Sequence, residues 1–348
     1  MSASDASNPV RQLSDDRIVI AHGGGGELTR QLIARRFLPR LGNALLDPLT
    51  DSAVLDLGGR RLALTTDSYV VQPLKFPGGD IGRLAVSGTV NDLAVAGAVP
   101  IALTLGVIME EGLSIELLDE IVASIAATAA EAGVAIATGD TKVIEHRRGD
   151  GLMINTAGVG EVRPEARLDA RRIIAGDVLV CSGRIAEHGL AIMSAREGLA
   201  FTTELRSDVA PLNGLVAALF DSGVDLKFLR DPTRGGVAGV AADLAEDAKL
   251  TLELDESALP LSRVARHTAE LLGIDPLVVA NEGKLLAVVP ESDADRLLAA
   301  MRNHPLGGHA AVIGRFVDAQ PPLVELITRA GGRRIVQRPY GEELPRIC

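Results

Sequence analysis

Apolar positions recur along this chain with two distinct periods. From Ser114 to Ala132, residues Ile115, Leu118, Ile121, Val122, Ile125 and Ala129 repeat at helical spacing and predict one apolar stripe. Ser114 supplies the N-cap and Gly133 the stop. Short apolar runs predict strands at Val54 to Leu57, Arg61 to Val71, Pro100 to Glu110, Val134 to Ala137 and Leu152 to Val162. Gly58-Gly59 joins the first two as a hairpin. Ile81 to Gly97 is rich in Ala, Gly, Ser and Thr and predicts a helix packed tightly on all sides, with Asp80 as its cap. Nearer the start, Arg17 to Ala21 reads as a strand. It runs into His22-Gly23-Gly24-Gly25-Gly26 and a helix from Glu27 to about Leu38.

The second half alternates again. Strands are expected at Asp177 to Ser182, Asp225 to Leu229, Leu285 to Val289, Ala311 to Val317 and Leu323 to Ile327. Helices are expected near Glu187 to Arg196, Pro211 to Ser222, Gly236 to about Asp247 and Asp293 to Met301. A charged stretch with Pro164, Arg163 to Arg172, marks a boundary. The expected organisation is two α/β (α+β) domains: a disordered lead 1–14, an N-terminal domain 15–165, a C-terminal domain 166–340 and a mobile tail 341–348.

Composition narrows the function. A net charge of −11 argues against nonspecific nucleic-acid binding, which needs a basic footprint, and eight Phe plus Tyr with no Trp offer few stacking platforms. The longest uncharged run, Leu93 to Met109, is too short for a membrane span of roughly 20 residues. Met1 to Leu13 is polar and lacks the apolar core of a signal peptide. Two cysteines make no disulfide framework, which fits a reducing cytoplasm.

One cysteine, Cys181, falls in an apolar strand and reads as a small core hydrophobe. The other, Cys348, is the final residue. It cannot be deeply buried without its α-carboxylate, and that carboxylate disfavours the thiolate. From Gly341 to Cys348 an extended chain reaches roughly 25 Å, far enough to carry a thiol into a pocket. A frayed end is the alternative.

The candidate chemistry is acidic and glycine-rich. His22 to Gly26 has the strand–loop–helix setting of a phosphate loop, but it is no Walker A, and a plain glycine turn fits equally. Asp51 and Asp67 flank and occupy the first strand pair, and Asn91 and Asp92 lie in the small-residue helix. Gly139, Asp140 and Lys142 are expected where a strand ends. Asp231 and Arg234 open a later helix, and Glu282 precedes a core strand. Together, Asp51, Asp67, Asp92 and Asp231 suit Mg²⁺, and the glycine loop with Arg234 suits phosphates: an ATP site without a Walker A.

Seven segments in order then resemble one family: Asp67-Ser68-Tyr69-Val70-Val71, Phe76-Pro77-Gly78-Gly79-Asp80-Ile81-Gly82, Gly88-Thr89-Val90-Asn91-Asp92-Leu93, Gly139-Asp140-Thr141-Lys142-Val143, Asp231-Pro232-Thr233-Arg234-Gly235-Gly236, Asn281-Glu282-Gly283-Lys284 and the terminal Pro345-Arg346-Ile347-Cys348. The chain from Ile18 to Cys348 resembles the HypE family, the carbamoyl dehydratases of nickel–iron hydrogenase maturation, within the aminoimidazole-ribonucleotide-synthetase-like superfamily. The resemblance implies a two-domain fold that dimerises through its N-terminal domains. It implies carbamoylation of Cys348 by HypF, ATP-dependent dehydration to a thiocyanate, and delivery of cyanide to HypC–HypD. It also implies ATP and Mg²⁺ on residues matching Asp51, Asp67, Asp92 and Asp231, with Asn91, Gly139, Asp140 and Arg234 in the nucleotide set. Glu282 is the candidate base and Lys142 the candidate that orients the carbamoyl oxygen or phosphate. His22 is a rival base. Two alternatives remain: a synthetase of the same superfamily acting on a free small molecule, and a nonenzymatic carrier with a docking tail.

Overall fold

The computed structural model describes residues 17–198, 205–341 and 347–348. The expected lead and most of the expected tail lie outside the described residues. Two sheets carry the chain. The first has five strands in the order β1-β2-β7-β5-β6: β1 (Ala53–Leu57), β2 (Arg60–Tyr69), β5 (Ala98–Glu110), β6 (Ala135–Ile144) and β7 (Leu152–Val162), with a short β3–β4 ribbon (Lys75–Phe76, Gly79–Asp80) beside it. The second has seven, in the order β14-β13-β10-β12-β8-β11-β9. These are β8 (Val178–Cys181), β9 (Phe228–Arg230), β10 (Thr251–Asp255), β11 (Leu286–Val289), β12 (Ala311–Val317), β13 (Val324–Ile327) and β14 (Arg333–Ile335).

Helices α1 (Glu27–Leu32) and α2 (Leu38–Leu41) precede the first sheet. Helix α3 (Ile81–Val95) is the central element. The Asp80 carboxylate accepts from Gly82 N and Arg83 N at 2.8 and 2.9 Å, a cap worth about 1 kcal/mol. Every residue of α3 except Arg83 and Asp92 is buried. Its small residues permit this: a Cβ on Gly82 would stand 2.7 Å from the Ile121 carbonyl, and one on Gly88 would overlap the Tyr69 hydroxyl. The start of α3 joins the core of the first sheet, while Ala94 and Val95 join a core cluster of the second half. One helix therefore spans both domains.

Helix α4 (Ile115–Ala132) is capped by Ser114 and ended by Gly133 in the left-handed region at φ 69°. Ile121, Ile125 and Ala129 are buried as expected, but Ile115 and Val122 face outward. Both lie at the edge of the stripe, on the part of the helix that rolls away from the sheet. The second half adds α5 (Glu187–Arg196), α6 (Asn213–Asp221), α7 (Gly236–Ala248), α8 (Arg263–Leu272) and α9 (Ala294–Arg302). β10, β14 and α8 have no counterpart in the sequence reading.

Two expectations are corrected. Arg17 to Ala21 is not a strand; Ile20–Gly23 forms a 3₁₀ turn. Ile18 and Ile20 are exposed, so their apolar run has no sheet to join. The strand expected at Val134 to Ala137 continues to Ile144, because β6 goes on pairing with β5, past a register shift at Ala137, as far as Glu110↔Ile144. Gly139, Asp140 and Lys142 consequently lie within a strand and not at its end.

Candidate active site

Loops and element ends from both domains meet at one cavity of about 210 Å³. Asp51 arrives just before β1, Thr65, Thr66 and Asp67 from β2, Gly88 and Asp92 from α3, and Asp231, Thr233 and Arg234 after β9. Glu282 comes from the loop before β11, and Cys348 from the chain terminus.

Three carboxylates converge. Asp51, Asp92 and Asp231 each offer an oxygen, and these atoms all lie within 4.8 Å of one another. Asp51 is held by Arg230, whose Nε stands 3.1 Å from both carboxylate oxygens. Asp92 Oδ2 accepts from Thr65 Oγ1 at 2.8 Å. Asp231 Oδ2 is buried and has no hydrogen-bond partner among the described residues. Burial first, then Asp51, pushes Asp231 up to about 8. Burial first, then Asp231 and Asp51, raises Asp92 well above the carboxylate range. Like charges this close cannot all ionise without a counter-cation. An orphaned oxygen inside an all-oxygen donor set fits a hard divalent cation such as Mg²⁺. Asp67 lies beside this trio and not in it: its Oδ1 accepts from Ser68 N at 2.8 Å and pairs with Arg234 Nη2 at 3.5 Å.

Glu282 is the second orphan. Its Oε1 is buried without a partner, and burial first, then Asp231 and Asp67, raises it well above its ordinary range. Its loop is rigidly built. Asp208 accepts from Glu282 N and Gly283 N, both at 3.3 Å, and Lys284 Nζ pairs with Asp208 at 3.4 Å. Asn281 accepts from Ala186 N at 2.7 Å and donates to Pro232 O at 2.9 Å.

The terminus enters the same cavity. Val70 N donates to Cys348 O at 3.4 Å, and Ile347 is buried. His188 Nε2 stands 2.7 Å from Ile347 O, while its Nδ1 stands 2.8 Å from Ser207 Oγ. Burial pushes His188 below its ordinary value, so the neutral ring donates from Nε2 and accepts Ser207's hydroxyl proton at Nδ1. Arg234 is raised above its ordinary value, with Cys348 the largest cause and Asp67 the next partner charge.

Not every expected residue arrives. Asn91 does not face the cavity as a nucleotide ligand. Its amide donates to Ala210 O and Glu282 O, both at 3.2 Å, and its oxygen accepts from Leu212 N at 2.7 Å. The side chain is saturated and wholly buried, so it fixes the Glu282 loop from behind. Gly139, Asp140 and Lys142 do not line the cavity of their own chain. Gly139 shares the row Asp67–Thr156–Leu105–Gly139, but three strand spacings, about 14 Å, separate its ends. Asp140 and Lys142 pair with Gly106 and Ile108, one and three residues beyond that row. Strand alternation therefore turns them to the opposite face of the sheet. His22 is spent on its own turn, with Nδ1 3.1 Å from Val19 N. The glycine loop does reach Arg234: a Cβ on Gly25 would stand 2.7 Å from Arg234 Cβ.

Neither His188 nor Ser207 stands in a motif that the sequence marks as functional. A lone histidine on a helix and a serine in a loop carry no pattern that announces a meeting with the terminus.

Two stacked α/β domains with an acidic cavity between them define an AIR-synthase-related protein. Residues 49–162 match the AIR synthase related protein N-terminal domain, and residues 175–325 the matching C-terminal domain. The carbamoyl dehydratase HypE of Azotobacter vinelandii is 47% identical over 336 residues, covering 97% of this chain and 98% of that protein. A crystal structure of a HypE–HypF complex superposes with TM-score 0.84 at 44% identity, over 88% of this chain and 99% of the other. A HypE solved in complex with ATP gives TM-score 0.80 at 43% identity, over 94% and 98%. The chain belongs to the HypE family of carbamoyl dehydratases, enzymes of hydrogenase maturation.

Proposed function

We propose that this chain dehydrates a carbamoyl group carried on its own Cys348 thiol, using ATP, and that the residues of the cavity above perform the chemistry. The observation that carries this reading is the terminal cysteine seated in the same cavity as the acidic trio, Arg234 and Glu282. A small-molecule synthetase has no need of a chain terminus there, and a passive carrier has no need of the trio.

Asp51, Asp92 and Asp231 are the proposed Mg²⁺ ligands, with Asp67 beside them. When bound, the metal neutralises phosphate charge and aligns the transferred phosphoryl group. Arg234 sits between Asp67 and Cys348 and faces the charge that develops on the transferring group. The reaction balances as follows. The carbamoyl oxygen takes the γ-phosphoryl group of ATP, and the amide nitrogen gives up one proton. The resulting O-phosphorylated isothiocarbamate, with sulfur, oxygen and one imino nitrogen on the carbon, then loses phosphate as the nitrogen gives up its second proton. The C–O bond breaks, the C≡N bond forms, and the products are S-cyanocysteine, ADP and phosphate. Glu282 is the proposed proton acceptor. Its raised proton affinity makes it a stronger base than an ordinary carboxylate, and it lines the cavity with its Oε1 unpartnered. His188 seats the tail through Ile347 O.

HypF is the proposed carbamoyl donor, in keeping with the HypE–HypF complex, and HypC–HypD the proposed cyanide acceptor. A cytoplasmic setting keeps the acceptor cysteine reduced; no helix of the described residues is long and apolar enough to cross a membrane. We also propose a homodimer formed through the open face of the five-stranded sheet. Leu64, Val99 and Ile101 are exposed apolar residues of its strands, and β6 is an exposed edge. Asp140 and Lys142 point to that face and act, in this reading, only on a site completed by a second copy.

A phosphate-release assay with HypF, carbamoyl phosphate and Mg-ATP tests the reading. Turnover is expected to disappear in Cys348→Ser. Undiminished turnover in that variant would favour the small-molecule synthetase.

A further inference from the structure

The C-terminal domain holds a second cavity, of about 650 Å³, and no residue that lines it lines the catalytic one. Five arginines converge on it from separate elements: Arg184 follows β8, Arg263 and Arg266 lie on the first turns of α8, Arg302 ends α9, and Arg329 follows β13. Ser262 caps α8 by accepting from Ala265 N at 3.1 Å, so the positive end of that helix opens at the same place.

The charge state of this cluster is anomalous for the chain. The protein carries −11 overall, and most arginines elsewhere in the domain are paired with carboxylates, among them Arg171 with Asp169, Arg315 with Glu291, Arg334 with Asp275 and Arg338 with Asp243. None of the five cavity arginines forms an ion pair among the described residues. Three carboxylates adjoin the cavity, and one of them, Glu187, lies near Arg184 and hydrogen-bonds Ser262. Asp255 accepts from Ser257 N at 2.8 Å, and Glu256 accepts from the backbone N of Arg329 at 3.0 Å. Arg302 is held in place by donating to Ala310 O at 2.8 Å. Five arginines against three adjoining carboxylates leave a surplus of positive charge around one concavity, and an anion is the natural counterweight.

We propose that this cavity is a binding site for an oligophosphate. All five cations are arginines, whose planar forks bind phosphate oxygens in pairs, where lysine would act as a point charge. A helix N-terminus adds backbone donors of the kind phosphates favour. The volume lies in the usual range for small-molecule sites, roughly 300–1,000 Å³, and exceeds what one phosphate fills. The site also touches the catalytic framework. Ile185 N donates to Pro260 O at 3.0 Å on the cavity wall, and the next residue, Ala186, donates to Asn281, the neighbour of Glu282.

Calorimetric titration of the full-length protein with sodium tripolyphosphate in Mg²⁺-free buffer tests this. One saturable site per chain is expected, at least tenfold weaker in Arg263→Ser/Arg266→Ser and in Arg184→Ser, with Mg-ATP turnover unchanged in both. Parallel titrations with ATP separate the sources: a second ATP equivalent lost in these variants makes a nucleotide the ligand, and an unchanged ATP stoichiometry makes it a free oligophosphate. The proposal is overturned if tripolyphosphate shows no saturable binding or if the variants bind it as the parent does. It is equally overturned if an oligoglutamate peptide binds the cavity and tripolyphosphate does not.

Discussion

The imidazole Nε2 of His188 stands 2.7 Å from the carbonyl oxygen of Ile347, the residue before the terminal cysteine. This contact joins a buried helix of the C-terminal domain to the last peptide of the chain. Ser207 fixes the ring's other nitrogen, and Phe76 packs edge-on against it at 5.6 Å between centroids. Removing the donor in His188→Leu is expected to release the tail, while His188→Gln, which retains an N–H, restores part of the contact. A net hydrogen bond of about 1 kcal/mol corresponds to roughly fivefold in the seated population. Alkylation of Cys348, read by intact mass, should accelerate about that much in the leucine variant and less in the glutamine variant. Buried Cys181, pushed up to about 11 by desolvation, stays silent in this assay.

The acidic trio makes stability depend on pH in a definite direction. Asp231 is raised to about 8, so between the ordinary carboxylate range and that value the folded protein holds a proton that the unfolded chain has lost. Its contribution is fully present at low pH and fades as pH rises through about 8. Asp92 acts in the same direction. A bound Mg²⁺ replaces those protons. Scanning calorimetry should therefore show a larger Mg²⁺-induced rise in Tm at pH 8 than at pH 6. Equal rises at both values would show that the trio does not hold the cation.

Substituting one ligand separates binding from folding. Asp231→Asn replaces a carboxyl that must take up a proton to stay buried with an amide that is neutral at every pH, so in Mg²⁺-free buffer its Tm is expected to match or exceed the parent's. Its affinity for Mg²⁺, measured by titration, should fall by at least tenfold. A destabilised variant with unaltered Mg²⁺ affinity would point to a structural role for Asp231.

Glu282→Gln tests the base. The amide keeps the shape of the loop and the bond from Asn91 to Glu282 O but accepts no proton. Carbamoylation and ATP binding should persist, while the rate of water loss falls by about 10²–10⁴. In the parent, that rate should climb with pH as the raised Glu282 carboxyl ionises, and this limb should vanish in the variant.

Asn91→Ala tests the corrected assignment. The side chain makes three bonds to the backbone of the C-terminal domain from a wholly buried helix face. Its loss is expected to cost about 3 kcal/mol in unfolding free energy, because it strands buried backbone groups. A direct nucleotide ligand would instead lower ATP affinity with little change in stability.

The sequence disclosed the parts of this site that come as local patterns. Asp67, Asp92, Asp231, Arg234, Glu282 and Cys348 each stand in a short motif, and all six meet at one cavity. What the motifs do not carry is the face on which a residue emerges. Asn91 and Asp92 are adjacent, yet α3 turns one into the domain interface and the other into the cavity. Lys142 follows the same logic, since its side of the sheet depends on how far β6 pairs with β5. The run at Ile18 to Ile20 has strand composition but no sheet edge to receive it, and so curls into a turn. His188 was invisible because its meaning comes from a contact 159 residues away.

The most direct test of the central claim is intact-mass spectrometry of the protein after incubation with HypF, carbamoyl phosphate and Mg-ATP. The expected result is a carbamoyl adduct on Cys348 that then loses the mass of one water. That loss should occur in the parent and fail in Asp231→Asn and Glu282→Gln. An adduct that forms on Cys348 and never loses water under Mg-ATP in the parent would contradict it.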